Sequence, residues 1–132
     1  MSDVAAVLGV WAAADAEPTI TDDQDGLRTL LGHSADSLLV ATDDDRVVGT
    51  IIIGWDGWRG GFYRLAVLPE YRRRGIAGRL VGEGERKLAG LGARRLAVFA
   101  VTGDPGAVPF WQSVGYLEQL DRQRLVKNLD NR

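Results

Sequence analysis

At 132 residues, 45% hydrophobic and 26% charged, the chain has the size and balance of one globular domain with a core of its own. It holds no cysteine and one histidine, His33, which excludes a disulfide frame and a thiolate zinc site and leaves no metal site to expect. Its formal net charge of −2 makes any basic cluster a local feature and argues against a nucleic-acid partner.

Ser2-Asp3 reads as a helix cap, after which Val4, Val7, Leu8, Trp11 and Ala12 recur at helical spacing until Glu17-Pro18 stops the helix. Val4 to Ala14 is apolar enough to raise a signal peptide, but Asp3 stands where basic residues should. The stretch is also too short to span a bilayer, so a cytoplasmic protein with no membrane partner is expected. Asp22 to Leu31 predicts a second short helix with Leu27, Leu30 and Leu31 inward, and His33 just beyond it as a surface residue.

Ser37 to Thr42 and Val47 to Trp55 predict strands joined by the tip Asp43-Asp44-Asp45-Arg46, the second rich in β-branched residues as a central strand should be. The Asp56 to Gly61 loop leads to a strand over Phe62 to Leu68. Residues 76 to 91 then form a helix with Ile76, Leu80, Val81 and Leu88 on one face. Gly78, Gly82 and Gly84 within that helix each cost roughly 1 kcal/mol relative to alanine, and close packing on the sheet is expected to compensate. Arg95 to Thr102 predicts another buried strand, Ala107 to Val114 a short helix with Gly115 at its end, and Tyr116 to Lys127 the last strand. This order is that of an α/β mixed sheet, in a single domain over residues 1–132.

The stretch from Arg64 to Leu80 carries the chemistry. Leu65-Ala66-Val67 is an apolar strand end, Pro69 denies it a further ladder donor, and Arg72-Arg73-Arg74-Gly75-Ile76-Ala77 opens a helix. A helix start has N–H groups without intrahelical partners and the positive end of the dipole, so phosphate oxygens can sit there if no side chain blocks them. Gly75, Ala77 and Gly78 keep the approach open, and the arginines bring fixed positive charge. Taken alone, the same residues also fit a solvated basic turn. A P-loop fits poorly, since no Gly-Lys-Ser/Thr ends the turn.

The spacing Arg72-x-x-Gly75-x-Ala77, preceded by Val67-Leu68-Pro69-Glu70-Tyr71, resembles the acetyl-CoA signature Q/R-x-x-G-x-G/A of the GCN5-related N-acetyltransferases, the GNAT family. A second stretch, Asp104-x-x-Ala107-x-x-Phe110-Trp111-x-x-x-Gly115-Tyr116, is similar to that family's N-x-x-A-x-x-F-Y-x-x-x-G-F. Within the family the chain looks most like a small bacterial subgroup of uncertain acceptor. The resemblance implies a mixed, mostly antiparallel sheet splayed between its two central strands, with helices on both faces. The family's first strand is absent ahead of the first helix. That leaves a sheet edge open to a loop or to a second copy, hence a homodimer.

What else the resemblance implies concerns acetyl-CoA. Leu65, Ala66 and Val67 would pair with the pantetheine arm at the split from the Val98–Val101 strand. Arg72, Arg73, Arg74, Gly75, Ile76, Ala77 and Gly78 would hold the diphosphate, and Asp104, Phe110 and Trp111 would complete the cofactor site. The acceptor, a small-molecule or peptide amine, would attack the thioester directly, with the N–H near Val67 stabilising the oxyanion. The chain departs from the family where proton transfer is concerned. Trp111 stands where a tyrosine usually protonates the thiolate, Asp104 where an asparagine is usual, and Phe62, Tyr63 and Phe99 where a glutamate is often found. Tyr63 is then the candidate acid, against the alternative of a half-buried strand tyrosine, and Asp104 a candidate base by way of water, against helix capping.

Trp55 and Trp58 are candidates to line an acceptor pocket, or else belong to core or rim. Asp15, Glu17, Asp22, Asp23 and Asp25 crowd the junction of the first two helices, either as an acidic entrance for cationic amines or as solvated capping residues. The rival from another class is a non-catalytic acyl-CoA sensor.

Overall fold

Val47, Val48, Thr50, Ile51, Ile52 and Ile53 are β-branched, stiff at χ1 and suited to a pleated surface covered on both sides, and they make strand β2 (Arg46–Trp55) the middle of the sheet. In the computed structural model, which describes residues 2–14, 19–100 and 104–129, β2 pairs antiparallel with β1 (Leu38–Asp43) and with β3 (Gly60–Val67). The short β4 (Leu96–Ala97) adds to β3 in parallel, giving the order β1-β2-β3-β4 with β1 at an edge. Asp44 and Asp45 both take positive φ (47° and 68°), the twist a two-residue hairpin loop requires, which Asp accepts more readily than bulkier residues.

Adjacent strand residues point to opposite faces, and two neighbours on β2 identify what covers each face. Thr50 accepts a hydrogen bond from Trp11 of helix α1 (Ser2–Ala13) at 2.9 Å. At Gly49 a Cβ would meet Ile76 and Leu80 of helix α3 (Ile76–Leu91) at 3.2 and 3.3 Å. Helices therefore lie on both faces of the sheet. Val4, Val7, Val10 and Trp11 of α1 join Leu27 of helix α2 (Gln24–His33), Val47, Val48, Ala66 and Leu68 in one core. Leu80, Val81 and Leu88 of α3 are buried on the other face.

The strand expected over Arg95 to Thr102 is ordered as a strand only at Leu96 and Ala97; Val98 to Ala100 are not strand, and residues 101–103 lie outside those described. The strand expected over Tyr116 to Lys127 does not form. Its apolar residues Leu117, Leu120, Leu125 and Val126 do not alternate with polar ones, and none of residues 116–129 joins a ladder, without which a strand has no stabilisation. His33 is the last residue of α2 and not the one after it.

The chain divides into two compact units, residues 1–98 and 99–132. The first contains the sheet, α1, α2 and α3. The second contains helix α4 (Ala107–Ser113) and the irregular segment after it. Among the described residues no helix is long and apolar enough to cross a membrane, and no three His, Cys, Asp or Glu side chains gather to hold a metal.

Candidate functional site

The site grows from the way β3 leaves its neighbours. Parallel pairing with β4 covers only Gly60–Leu96 and Gly61–Ala97, so beyond Gly61 the outer edge of β3 has no further ladder to β4 among the described residues. A side chain at Gly61 would strike the Ala97 carbonyl oxygen at 2.4 Å, so the strands touch closely before they part.

Pairing with β2 shifts between Ile52–Tyr63 and Thr50–Ala66, which leaves Arg64 and Leu65 bulged, and Arg64 takes the left-handed conformation at φ 52°. The Leu68 N–H donates to the Val48 carbonyl (2.9 Å). Ladder alternation then turns Ala66 toward β2 and the N–H groups of Leu65 and Val67 toward the open edge.

The turn that follows is braced on several sides. Pro69–Tyr71 makes one 3₁₀ turn. The Tyr71 hydroxyl donates to Asp43 (2.7 Å), and the accepting carboxylate pushes the phenol pKa up, which commits Tyr71 to its protonated form. Glu70 pairs with Arg46 at 3.2 Å; its own backbone N–H, and then Arg46, hold its pKa down. Both contacts pin the turn to the β1–β2 hairpin. Arg72 reaches back, its Nε donating to the Val67 carbonyl (3.3 Å) and its Nη2 to the Ala14 carbonyl (3.4 Å). Two of its donors thus hold the turn. Arg73 and Arg74 are exposed, with the Arg74 guanidinium 4.8 Å above the Tyr71 ring.

Gly75 enters α3 at φ 80°, a conformation that favours glycine, and offers no side-chain cap. The Arg79 N–H is the one that reaches the Gly75 carbonyl (3.1 Å), so the N–H groups of Ile76, Ala77 and Gly78 emerge from the helix end. A Cβ at Gly75 or Gly78 would meet nothing within 4 Å. The space over the helix start is open and positively biased, as an anion requires. A cavity of about 500 Å³, lined among others by Val40, Asp43, Val48, Tyr71, Arg74 and Ile76, lies on the β1 side of the turn.

Leu65 to Gly78 thus run as one continuous strand–turn–helix segment of the first unit, buried at Ala66, Val67 and Leu68 and exposed from Arg72 to Gly75. Tyr63 is 53% exposed. Phe62 beside it abuts Gly84 of α3, so Tyr63 projects from the α1 face, next to Gly54. Trp55 is half-buried at the end of β2, and Trp58 is 68% exposed with the Arg59 guanidinium 4.1 Å over its ring.

In the second unit the Asp104 carboxylate accepts the Gly106 N–H (2.9 Å) in an Asx turn just ahead of α4, whose N-cap, Gly106, has no side-chain cap. Phe110 and Trp111 meet edge to face at 5.3 Å, and Trp111 meets Tyr116 in the same way at 5.0 Å.

Two residues not expected at the cofactor site sit behind the bulge. Thr50, fully buried, donates to the Arg64 carbonyl (2.9 Å), and Asp22 receives the Arg64 guanidinium on both carboxylate oxygens. The one available signal for Thr50 was a polar residue within an otherwise apolar strand.

The acidic junction is also more structural than open. Asp22 accepts the Thr19 N–H and hydroxyl (2.6 and 2.9 Å), Asp23 caps α2 through the Gly26 N–H (2.7 Å), and Asp25 lies 3.9 Å from Arg28. Asp15 and Glu17 lie outside the described residues.

Comparison with known proteins identifies the family and the fold. The family model described as the Acetyltransferase (GNAT) family matches residues 8–116. The chain is similar to an acetyltransferase of Pectobacterium atrosepticum, 31% identical over 127 residues that cover 96% of this chain and 89% of that one. It shares its fold with a transcriptional regulator from Bacillus halodurans (TM-score 0.77, 15% identity, 97% of this chain and 94% of the other). It does so too with a predicted acetyltransferase with acetyl-CoA from Clostridium acetobutylicum (TM-score 0.72, 15% identity, 95% and 90%). With most of its length matched by the family model and nearly all of it by a curated acetyltransferase, this chain belongs to the GNAT family of acetyltransferases.

Proposed function

We propose that the chain, acting as one domain in the cytoplasm, is an acetyl-CoA-dependent N-acetyltransferase that moves the acetyl group to a primary amine of a small molecule or peptide. The observation that carries this reading is the uncapped start of α3, where Gly75 opens the helix and the N–H groups of Ile76, Ala77 and Gly78 emerge beside Arg73 and Arg74. That surface suits a diphosphate: N–H donors aim at its oxygens, the arginines neutralise its charge, and Arg72 keeps further N–H groups beyond those that brace the turn. The open edge of β3 supports the other half of the reading. Leu65 and Val67 can pair there with the amide groups of a pantetheine arm, and an N–H of this edge can stabilise the oxyanion. By resemblance to the second family motif, Asp104, Phe110 and Trp111 are further candidates for contact with the cofactor.

The amine nitrogen attacks the thioester carbonyl carbon, forming the C–N bond and an oxyanion; collapse breaks the C–S bond and releases CoA thiolate. The attacking amine must first be neutral, and the thiolate takes a proton as it leaves. Tyr63, exposed on the α1 face beside the bulge, is our candidate for that proton, and Asp104 for accepting one through water. The decisive experiment is titration calorimetry with acetyl-CoA on wild type and Ala77→Glu. Wild type binds, and the mutant, which places bulk and negative charge over the helix start, loses binding with its fold intact. Unchanged affinity in the mutant would end the diphosphate assignment. Binding without CoA release across a panel of amines would instead favour an acyl-CoA sensor.

A further inference from the structure

A bulge in β3 selects which backbone groups face the open edge. Without it, the register Ile52–Tyr63 would continue to Thr50–Leu65 and Val48–Val67, and the N–H groups of Leu65 and Val67 would turn inward to β2. With it, Thr50 pairs with Ala66, and those N–H groups turn outward.

The bulge depends on Arg64 holding a left-handed backbone (φ 52°), which a non-glycine residue keeps only when its surroundings enforce it. Three elements do so. From β2, the buried Thr50 hydroxyl donates to the Arg64 carbonyl at 2.9 Å. From α1, the Trp11 indole N–H donates to that hydroxyl (2.9 Å) and so sets its direction, and the Trp11 ring lies 5.7 Å from the Arg64 guanidinium. From the α1–α2 junction, Asp22 takes the guanidinium in bidentate fashion, with its side chain only 11% exposed.

We propose that Thr50 and Asp22 are positioning residues for acyl transfer: they lock the Arg64 bulge in the phase that presents the Leu65 and Val67 N–H groups to the acyl-pantetheine arm. The inference rests on the function proposed above. It predicts a split between the two halves of acetyl-CoA, because the diphosphate would sit at the start of α3, on the face of the sheet opposite the Thr50 side chain, whereas the arm would lie on β3. Thr50→Val removes the hydroxyl at nearly constant volume and frees the Arg64 carbonyl. Thr50→Ser restores the donor.

The test is calorimetric titration of wild type, Thr50→Val, Thr50→Ser and Asp22→Asn with acetyl-CoA and with adenosine 3′-phosphate 5′-diphosphate, which keeps the diphosphate and lacks the arm. We expect Thr50→Val to weaken acetyl-CoA binding about tenfold or more while binding of the armless nucleotide changes less than about twofold, with Thr50→Ser close to wild type. Should Thr50→Val fail to fold, Asp22→Asn carries the test and shows the same split. Equal losses for both ligands, or no loss in any folded variant, would overturn the positioning role. Wild type that binds neither ligand would overturn the function proposed above, which is a separate outcome.

Discussion

Glycines two residues apart in α3 have opposite meanings. At Gly84 a Cβ would lie 2.4 Å from the Phe62 ring, so the helix rests directly on β3 there. At Gly82 the nearest atoms are the Arg86 guanidinium tips at 3.9 and 4.0 Å, and at Gly78 there are none within 4 Å. Close packing therefore compensates for glycine at Gly84 alone of the three. Gly82→Ala should stabilise the protein by up to about 1 kcal/mol, whereas Gly84→Ala should destabilise it by about 1–3 kcal/mol. Urea unfolding of the two single mutants checks the opposite signs.

The proton donor proposed above is tested at the same scale. With tryptophan at 111, Tyr63→Phe should lower turnover roughly 10²-fold while leaving acetyl-CoA affinity alone. Wild-type turnover in that mutant would leave the thiolate to depart with a proton from water.

Between β2 and β3 the loop is shaped by Asp56, whose carboxylate accepts the N–H groups of Arg59 (2.7 Å) and Trp58 (2.8 Å). These donors, Arg59 first, hold its pKa below the ordinary 3.8. A carboxylate with a lowered folded-state pKa stabilises the fold above its unfolded pKa, and loses that contribution as the pH falls through the folded value. Wild type should therefore exceed Asp56→Asn in stability near neutral pH, and the difference should shrink as the pH falls below the ordinary 3.8. Urea midpoints at about pH 7 and about pH 2.5 measure this. The hairpin matters for function because β3 starts at its far end and runs from there to the bulge and the open edge.

Across the whole molecule, opposite charges are placed close together within a net charge of −2. The turn is pinned to the β1–β2 hairpin by the Tyr71–Asp43 hydrogen bond and the Glu70–Arg46 pair, and the acidic junction is pinned by Arg64 and Arg28. Asp22 is consequently a poor entrance charge, being largely buried against Arg64. In Asp22→Asn/Asp23→Asn/Asp25→Asn, nearly all the lost stability should come from Asp22, about 2–3 kcal/mol, because asparagine caps as well as aspartate at 23 and the pair at 25 is exposed. Thermal unfolding of the triple mutant and of Asp22→Asn alone should give nearly the same melting temperature. A much larger loss in the triple mutant would return weight to Asp23 and Asp25.

The sequence by itself determined what is carried by neighbours along the chain. Pro69 ends β3, Gly75 opens α3 and Gly92 closes it. The helix over 76–91 was legible to the residue because caps and apolar spacing are local signals. Leu65 to Gly78 were legible as a strand end, a turn and a helix start for the same reason, since covalent continuity alone brings these three together.

Tertiary structure decided the rest. Arg64 bulges because Thr50, 14 positions away, and Asp22, 42 positions away, hold it there, and no local spacing announces either contact. Whether Arg72 would point outward or back to Val67 and Ala14 was likewise set by where α1 ends in space. The strand expected over Tyr116 to Lys127 is absent for a related reason. A helix satisfies its backbone from within, whereas a strand exists only where another strand's donors and acceptors meet it.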